Sequence, residues 1–213
     1  MSERSVNRLP SRIRDSVLIE QRRAAIVRAA RKVFRDKGFH VATVRDIGDA
    51  AGLTQGTLYN YVRSKEDILY LVCDHLVQSY QDAVTAAIER ESDRGRRLMA
   101  ALRAVVEAMM EHQEDILLMY QESHALDRAG LRSVLRRVSA FIGYFSELLA
   151  EARADGLVEY DDIPLGADIL TFLPAIVALR RWHLAKHPNP ERIADNLVRF
   201  LAQGLGIKLR EAN

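Results

Sequence analysis

Apolar residues recur at helical spacing through nearly the whole chain after residue 17, and this pattern constrains the fold more than any other feature. No segment shows the alternation typical of a half-buried strand, and glycines and prolines fall mostly where helices should end. We therefore expect an all-α protein with a small N-terminal three-helix domain, residues 1–66, followed by a larger helical domain, residues 67–213. The pattern predicts helices over 17–37, 44–51, 55–62, 65–91, 96–112, 114–125, 131–155, 164–187 and 190–209.

Charge is distributed unevenly along the chain. Residues 1–65 carry 14 Lys or Arg and 6 Asp or Glu, a net charge of +8, whereas the remainder carries 17 and 23, a net charge of −6. A basic segment on an acidic body indicates contact with a polyanion such as DNA, and a solvated basic face is the alternative. We expect residues 1–15 to form a flexible basic arm that either lies on DNA or stays in solvent. Its basic residues are Arg4, Arg8, Arg12 and Arg14.

Cys73 is the only cysteine, so an intrachain disulfide is impossible. It lies in an apolar run, and we interpret it as a small buried hydrophobe rather than a reactive thiol. The N-terminus lacks the apolar stretch of a secretory signal, and the longest apolar run, around residues 170–179, is too short to span a bilayer. We therefore expect a cytoplasmic protein with no membrane partner.

Residues 43–62 have the pattern of a helix-turn-helix, in which two short helices are joined by a tight turn. Thr43 and Thr54 are suitable N-caps, and Gly52 separates the helices where the turn can need a positive φ. Ile47, Ala51, Leu53, Leu58 and Val62 can form the packed side. The polar side left free suits a helix in a major groove, because its side chains can hydrogen-bond and stack. These free residues are Gln55, Thr57, Tyr59, Asn60 and Tyr61.

The stretch from Thr43 to Leu69 resembles the TetR family of bacterial repressors. The resemblance is carried by Ala50-Ala51-Gly52, Gly56-Thr57-Leu58-Tyr59-Asn60-Tyr61 and Ser64-Lys65-Glu66-Asp67-Ile68-Leu69, and Phe34 and Gly38 extend it. Gly48 stands where the family usually has Ala, and Val62 where it usually has Phe. The resemblance implies that Gln55, Thr57, Tyr59, Asn60 and Tyr61 lie on the recognition helix.

The resemblance, together with side-chain chemistry, predicts DNA-binding roles for three further residues. Arg45 matches a position that can reach a base, and its guanidinium suits the O6 and N7 atoms of guanine. Pairing with Asp49, four residues on, is the alternative for Arg45. Thr43 and Lys65 are expected to hold phosphate, and Lys65 lies at a helix N-terminus, which favours an anion.

The resemblance also implies a homodimer, formed through the last two long helices, that binds a palindromic operator in double-stranded DNA. Two-fold symmetry would place the two recognition helices about 34 Å apart, one turn of DNA. An apolar stripe in the last helix could form this interface or serve only the monomer core. The stripe consists of Ile193, Leu197, Phe200, Leu201 and Leu205.

The C-terminal body is expected to hold a cavity for a small-molecule effector that releases the protein from DNA. Methionine and aromatic residues at helical spacing are the candidate lining, and the same residues could be plain core. Pro174 lies inside a predicted helix, where it could bend the helix around a cavity, and Arg181 beside Trp182 could hold a phosphate or carboxylate. The candidates are Met109, Met110, Met119, Tyr120, Phe141, Tyr144, Phe145, Phe172, Arg181 and Trp182.

The expected effector is an acyl-CoA, because Tyr120-Gln121-Glu122 and Arg181-Trp182 resemble TetR-family members that respond to CoA thioesters. A drug-like or aromatic hydrophobe is the alternative. His183 and His187 could share a metal ion, but no further ligands cluster with them, so we expect neither a metal nor a cofactor.

An enzyme is not expected, because the chain has no phosphate-binding glycine loop, nucleophile elbow or zinc-protease signature. A helical adaptor that does not bind DNA is the remaining alternative. The polar side from Gln55 to Tyr61 favours DNA binding over that alternative.

Overall fold

The computed structural model describes residues 11–186 and 189–208, and within them the chain forms helices and no β-strand. The all-α prediction is therefore confirmed. Two 3₁₀ turns, Ser123–Ala125 and Leu173–Ala175, interrupt the α-helices. The α-helices are α1 Ser11–Lys37, α2 Val44–Ala51, α3 Gln55–Tyr59, α4 Lys65–Ile88, α5 Arg94–Glu111, α6 Gln113–Glu122, α7 Arg128–Ala154, α8 Ile163–Phe172, α9 Ile176–Leu179, α10 Arg181–Leu184 and α11 Pro190–Gly204.

The chain divides into two compact units, Met1–Val72 and Cys73–Asn213. Helix α4 contributes residues 65–72 to the first unit and residues 73–88 to the second. In the first unit α1 packs against α2, and α2 against α3. The core of this unit is apolar and almost fully buried. Its largest members include Ile26, Phe34, Ile47, Leu58, Ile68 and Leu69.

Threonine side-chain caps and a glycine with a positive φ define the ends of the short helices α2 and α3. The Thr43 side chain caps α2, and Gly52 ends that helix with a φ of 66°, in the left-handed region that favours glycine. The Thr54 side chain caps α3 in the same way, by accepting from the backbone N–H of Thr57. The predicted bounds of α2 are confirmed, whereas α3 ends at Tyr59 rather than at residue 62.

Helix α1 begins earlier than the sequence pattern indicated. It starts at Ser11 instead of residue 17, so residues 11–15 belong to a helix and not to a flexible arm. No glycine or proline interrupts Ser11–Lys37, so each added residue extends the backbone hydrogen bonds of the helix. Residues 1–10 of the expected arm lie outside the described part of the chain.

The second unit has its own apolar core. Helix α7 packs against α8, α5 against α7 and α11, and α6 against α9. Helices α5 and α7 contribute fully buried side chains to this core, among them Leu98, Leu102, Phe145 and Leu149. Cys73 is buried, and desolvation raises the pKa of its thiol to about 12, so it acts as the expected inert hydrophobe. Among the described residues, no helix is long and apolar enough to cross a membrane.

The helix predicted over residues 164–187 is divided in the structure. Helix α8 ends at Phe172, a 3₁₀ turn covers Leu173–Ala175, and the short helices α9 and α10 follow. Pro174 has no N–H, so it cannot donate the α-helical hydrogen bond at that point. The Thr171 hydroxyl also donates to the carbonyl of Ala167 over 2.7 Å, a contact that bends helices. The prediction of a bent helix was therefore wrong, because the proline breaks the helix.

The expected apolar stripe of α11 is divided between core and solvent. Leu201 and Leu205 are buried in the second unit, whereas Phe200 is 65% exposed. A longer exposed stripe lies on α8 and α9, where five apolar side chains alternate at spacings of four and three residues. They are Leu165, Ile169, Phe172, Ile176 and Leu179, each between 37% and 56% exposed.

Candidate DNA-binding surface and effector cavity

The solvent-facing side of α3 carries most of the predicted base-reading residues. Gln55, Tyr59 and Asn60 are exposed, and half of the Tyr59 surface, 51%, is open to solvent. Tyr61 is half-buried just beyond the helix. The Thr57 hydroxyl is half-buried and lies 2.9 Å from the Thr54 hydroxyl, so one of its hydrogen bonds serves the start of α3. Three of the five predicted side chains are therefore exposed and accessible to a partner molecule.

Arg45 lies on the exposed side of α2 and keeps its guanidinium accessible. Its side chain is 80% exposed, and its Nε atom lies 3.9 Å from an Asp49 carboxylate oxygen. That distance is too long for a hydrogen bond, and an exposed ion pair of this kind contributes little. The structure therefore leaves Arg45 free to exchange Asp49 for another partner.

Thr43 has a structural role that accounts for its hydroxyl. The hydroxyl oxygen accepts from the Asp46 backbone N–H over 3.1 Å and donates to the Asp46 carboxylate over 2.8 Å. The backbone N–H of Thr43 donates to the same carboxylate over 3.0 Å, which completes a capping box. Lys37 donates to the other Asp46 oxygen over 2.7 Å, and together these contacts lower the pKa of Asp46 to about 2.

Lys65 joins the first turn of α4 to the loop that precedes α2. Its ammonium donates to the carbonyls of Phe39, over 2.7 Å, and His40, over 3.0 Å. It also lies 4.7 Å from the centre of the Phe39 ring, a distance typical of a cation–π contact. Because an ammonium has three N–H donors, one remains for a phosphate. Sequence reasoning missed this structural role, since the partners lie more than 20 residues away in the chain.

Gly56 opens the backbone of α3 to solvent. A Cβ atom built at this position meets no atom of the protein within 4 Å, and its φ is not positive. Neither packing nor backbone conformation within the protein therefore requires a glycine here. The exposed backbone leaves room for the close approach of another molecule.

A cavity of about 130 Å³ lies inside the second unit. Five of the predicted ligand-binding residues line it, namely Met109, Met119, Tyr120, Phe141 and Phe172. Sequence reasoning missed the others, because their positions on the walls depend on how distant helices pack. The missed lining residues are Val77, Tyr80, Ile116, Val138, Ile142, Asp168, Thr171 and Ala175.

The polar groups of this cavity are few. The Tyr80 hydroxyl is buried and has no hydrogen-bond partner within the described part of the chain. Burial raises the pKa of Tyr80 well above its ordinary value, so the phenol stays protonated and can donate. Asp168 is exposed at the rim, and Tyr120 and Phe172 meet there edge to face with ring centres 6.2 Å apart.

The other predicted ligand-binding residues lie elsewhere. Phe145 is fully buried and packs on Phe141 at 5.3 Å between ring centres, and Tyr144 packs on Phe145 at 6.2 Å. Met110, Arg181 and Trp182 line a different groove of about 500 Å³. The predicted set is therefore divided between the cavity, the core and this groove.

Helix α4 is tied to α7 beside the cavity. The Arg137 guanidinium contacts the Asp74 carboxylate and donates to the Gln78 side-chain oxygen over 2.7 Å. Val77 and Tyr80, on the same stretch of α4, line the cavity. Residues 74–80 of α4 therefore carry two side chains that line the cavity as well as the polar contacts that attach this helix to α7.

The described residues contain no group of three or more His, Cys, Asp or Glu side chains that could hold a metal ion. His183 is exposed on α10, and its expected partner His187 lies outside the described residues.

Comparison with protein families separates the same two parts of the chain. Residues 26–70 match the model of bacterial regulatory proteins of the tetR family, and residues 91–205 match the tetracyclin repressor-like C-terminal domain. The chain belongs to the TetR family. The resemblance found in the helix-turn-helix is therefore confirmed, and TetR proteins of this kind are DNA-binding transcriptional regulators rather than enzymes.

Individual relatives agree with this assignment. The transcriptional repressor LfrR of Mycolicibacterium smegmatis is 34% identical over 187 residues, which cover 87% of this chain and 91% of LfrR. The regulator HbdR of Aromatoleum sp. is 28% identical over 64% of this chain, and the match spans only 59% of HbdR. Among solved structures, AibR in complex with isovaleryl coenzyme A and operator DNA superposes with a TM-score of 0.68 at 19% identity, over 84% of this chain and 97% of AibR.

Proposed function

We propose that this TetR-family protein is a homodimeric transcriptional repressor, which binds a palindromic operator and releases it when a small hydrophobic ligand enters the cavity. The exposed polar side of α3 carries the proposal, because Gln55 and Tyr59 on this helix and Asn60 at its C-cap are accessible within a helix-turn-helix that matches the tetR-family model. Amide and phenol groups are suited to hydrogen bonds with base edges and phosphates.

The DNA-binding roles follow from accessibility. Gln55, Tyr59 and Asn60 read bases from α3, with Thr57 and Tyr61 at the edges of that surface. Arg45 reaches a guanine from α2, since its weak contact with Asp49 is easily exchanged. The free N–H of Lys65 supplies a phosphate contact, whereas Thr43 has to exchange a hydrogen bond to Asp46 in order to donate to a phosphate. The bare backbone at Gly56 lets α3 lie deep in the groove.

The test of DNA binding compares the wild-type chain with Tyr59→Ala on its own upstream DNA, by fluorescence anisotropy. We expect the substitution to weaken binding about 10- to 100-fold, the range for one lost base-reading side chain. Leu135→Ala is the control, because Leu135 is an exposed apolar residue of the second unit. Binding that is undetectable on all genomic fragments, or insensitive to salt, would favour the adaptor without DNA binding instead.

The homodimer is supported by the exposed stripe on α8 and α9. Contiguous apolar side chains in water are unfavourable, and a second copy of the chain would cover them. Phe200, exposed on α11, extends the apolar surface available to a partner. Sedimentation velocity tests this proposal: we expect a dimer for the wild-type chain and a monomer for Ile169→Glu, and a wild-type monomer at micromolar concentration would contradict it.

We propose that the ligand causes release of DNA by moving helix α4. Its residues 65–72 belong to the DNA-binding unit, whereas Val77 and Tyr80 line the cavity. A ligand that moves this helix changes the spacing of the two recognition helices, and coupling of about 1–3 kcal/mol is typical of such linked sites.

An acyl-CoA remains the effector predicted from sequence, and AibR has been crystallised with isovaleryl coenzyme A. The test adds isovaleryl-CoA and longer acyl-CoAs to the operator complex. If operator binding is tight and no ester reverses it, the repressor proposal stands and the acyl-CoA prediction is wrong.

A further inference from the structure

The exposed side of α7 carries its charges in two separate groups. Arg128, Arg132 and Arg136 follow one another at intervals of four residues in the first half of the helix. Glu147 and Glu151 occupy the second half, and all five side chains are exposed. Arg136 and Glu147 are about three helical turns apart, so both groups lie on the same side of α7. One face of this 27-residue helix is therefore positive at its start and negative at its end.

The order of these charges is opposite to the order that stabilises a helix by itself. The helix dipole favours acids near the start and bases near the end, so Arg128 in the first turn and Glu151 in the last turn are both placed unfavourably. Arginines spaced four residues apart also repel one another. None of the three arginines forms an ion pair or a hydrogen bond within the described part of the chain. The stability of α7 therefore does not account for this order, whereas contact with another surface would.

Gly143 lies on the same face, between the two charged groups. A Cβ atom built there meets no atom of the protein within 4 Å, and its φ is not positive, so the protein itself does not require a glycine at this position. Glycine inside a helix is less favourable than alanine. Ser139 and Ala140, the neighbours of Gly143 on this face, are also small, and both are exposed. The middle of the face therefore leaves room for the close approach of another helix.

We propose that this face of α7 binds the same face of a second copy of the chain, with the two helices antiparallel. This pairing places Arg132 of each copy beside Glu147 of the other. The outer pair, Arg128 and Glu151, is centred on the same point of the chain, so one two-fold axis serves both pairs. Rows of side chains four residues apart are inclined to the helix axis, and helices that pack along such rows cross at about −50°. The inner pair therefore meets directly, and the outer pair attracts over a longer distance.

The charges on this face favour a second copy over other partners. DNA or an acidic peptide would be attracted by the arginines but repelled by the glutamates of the same face. A copy of the face is complementary at both ends. The apolar stripe on α8 and α9 consists of other residues, so the α7 face is a second surface for self-association. Two such surfaces on one chain build a tetramer from two dimers.

Sedimentation velocity of the full chain tests the proposal. Exposed ion pairs are individually weak, so we expect the mass to double only between about 5 μM and about 100 μM protein at about 50 mM salt, and not at about 500 mM salt. Arg132→Glu and Glu147→Arg each place like charges together and should weaken this association about tenfold. The double variant restores opposite charges and should restore the doubling. Arg90→Glu is the matched control, because Arg90 is an exposed arginine of the second unit outside α7.

Three results would overturn the proposal. The first is a wild-type mass that does not double at about 100 μM and low salt. The second is a doubling that either single reversal leaves unchanged, or that the double variant does not regain while circular dichroism shows it folded. The third is operator binding that Arg132→Glu weakens without any change in association, which would assign this arginine to DNA. The mass at about 5 μM reports separately on the dimer proposed for α8 and α9, so the two surfaces are tested independently.

Discussion

Replacing Lys65 by methionine separates a structural role of this side chain from a role in phosphate binding. Methionine keeps the apolar stem above the Phe39 ring and removes the ammonium that donates to the carbonyls of Phe39 and His40. Each hydrogen bond from a charged donor contributes about 1.5–3 kcal/mol where it is shielded, and less where water competes. One of the two bonds is part-buried and the other exposed, so we expect a loss of about 1–3 kcal/mol in the free energy of unfolding.

Urea denaturation followed by circular dichroism measures this loss. Lys32→Met is the matched control, since Lys32 is an exposed lysine of α1 in the same unit. Surface substitutions of that kind change stability by less than about 0.5 kcal/mol. The salt dependence of operator binding is measured in parallel, because each lost phosphate contact lowers its slope by about 0.9. Unchanged stability together with a reduced slope would refute the structural role and assign the ammonium to phosphate.

Three further predictions concern single groups. Gly56→Ala should raise the free energy of unfolding by up to about 1 kcal/mol, because alanine favours the helix and its Cβ meets no protein atom. The same substitution should weaken operator binding, and unchanged affinity in the anisotropy assay would show that DNA does not approach this backbone. Tyr80→Phe should leave the melting temperature unchanged or higher, since it removes a buried hydroxyl without a partner, and a clear decrease would indicate a partner for that hydroxyl. Asp46 has a folded pKa of about 2 against an ordinary 3.8, so its stabilising contribution is complete above about pH 4 and is lost as the pH falls towards 2. Urea midpoints across that range should therefore depend less on pH in Asp46→Asn, and an identical pH dependence would contradict this assignment.

The helix-turn-helix could be predicted from sequence because its determinants are local. Thr43 and Thr54 cap helices that begin at the next residue, and Gly52 supplies the positive φ that ends α2. Each of these contacts lies within three or four residues of the chain. The contacts of Lys65 with Phe39 and His40 join residues far apart in sequence, and no periodicity indicates them.

The cavity could be predicted only in part for the same reason. Phe141 and Phe145 lie one turn apart on one side of α7, so the sequence pattern predicts the same role for both. Packing places Phe141 on the cavity wall and Phe145 in the core, and the distinction depends on neighbouring helices. Asp168 and Tyr80 were missed because a polar residue in an amphipathic helix is normally assigned to the surface.

Helix α4 also sets a limit on how the DNA-binding unit can be exchanged between proteins. Ile68, Leu69 and Val72 are buried and belong to the first compact unit, although they lie beyond the helix-turn-helix. A fragment that ended at residue 66 would lose these side chains and much of the first two turns of α4. Recombination that joins this DNA-binding unit to a different C-terminal domain therefore has to cut inside the continuous helix α4 and preserve its helical phase. Breakpoints in viable chimaeras of this protein should fall at or after residue 72. The incoming helix should also continue the 3.6-residue period of α4, so that its apolar side still faces the core of its own unit.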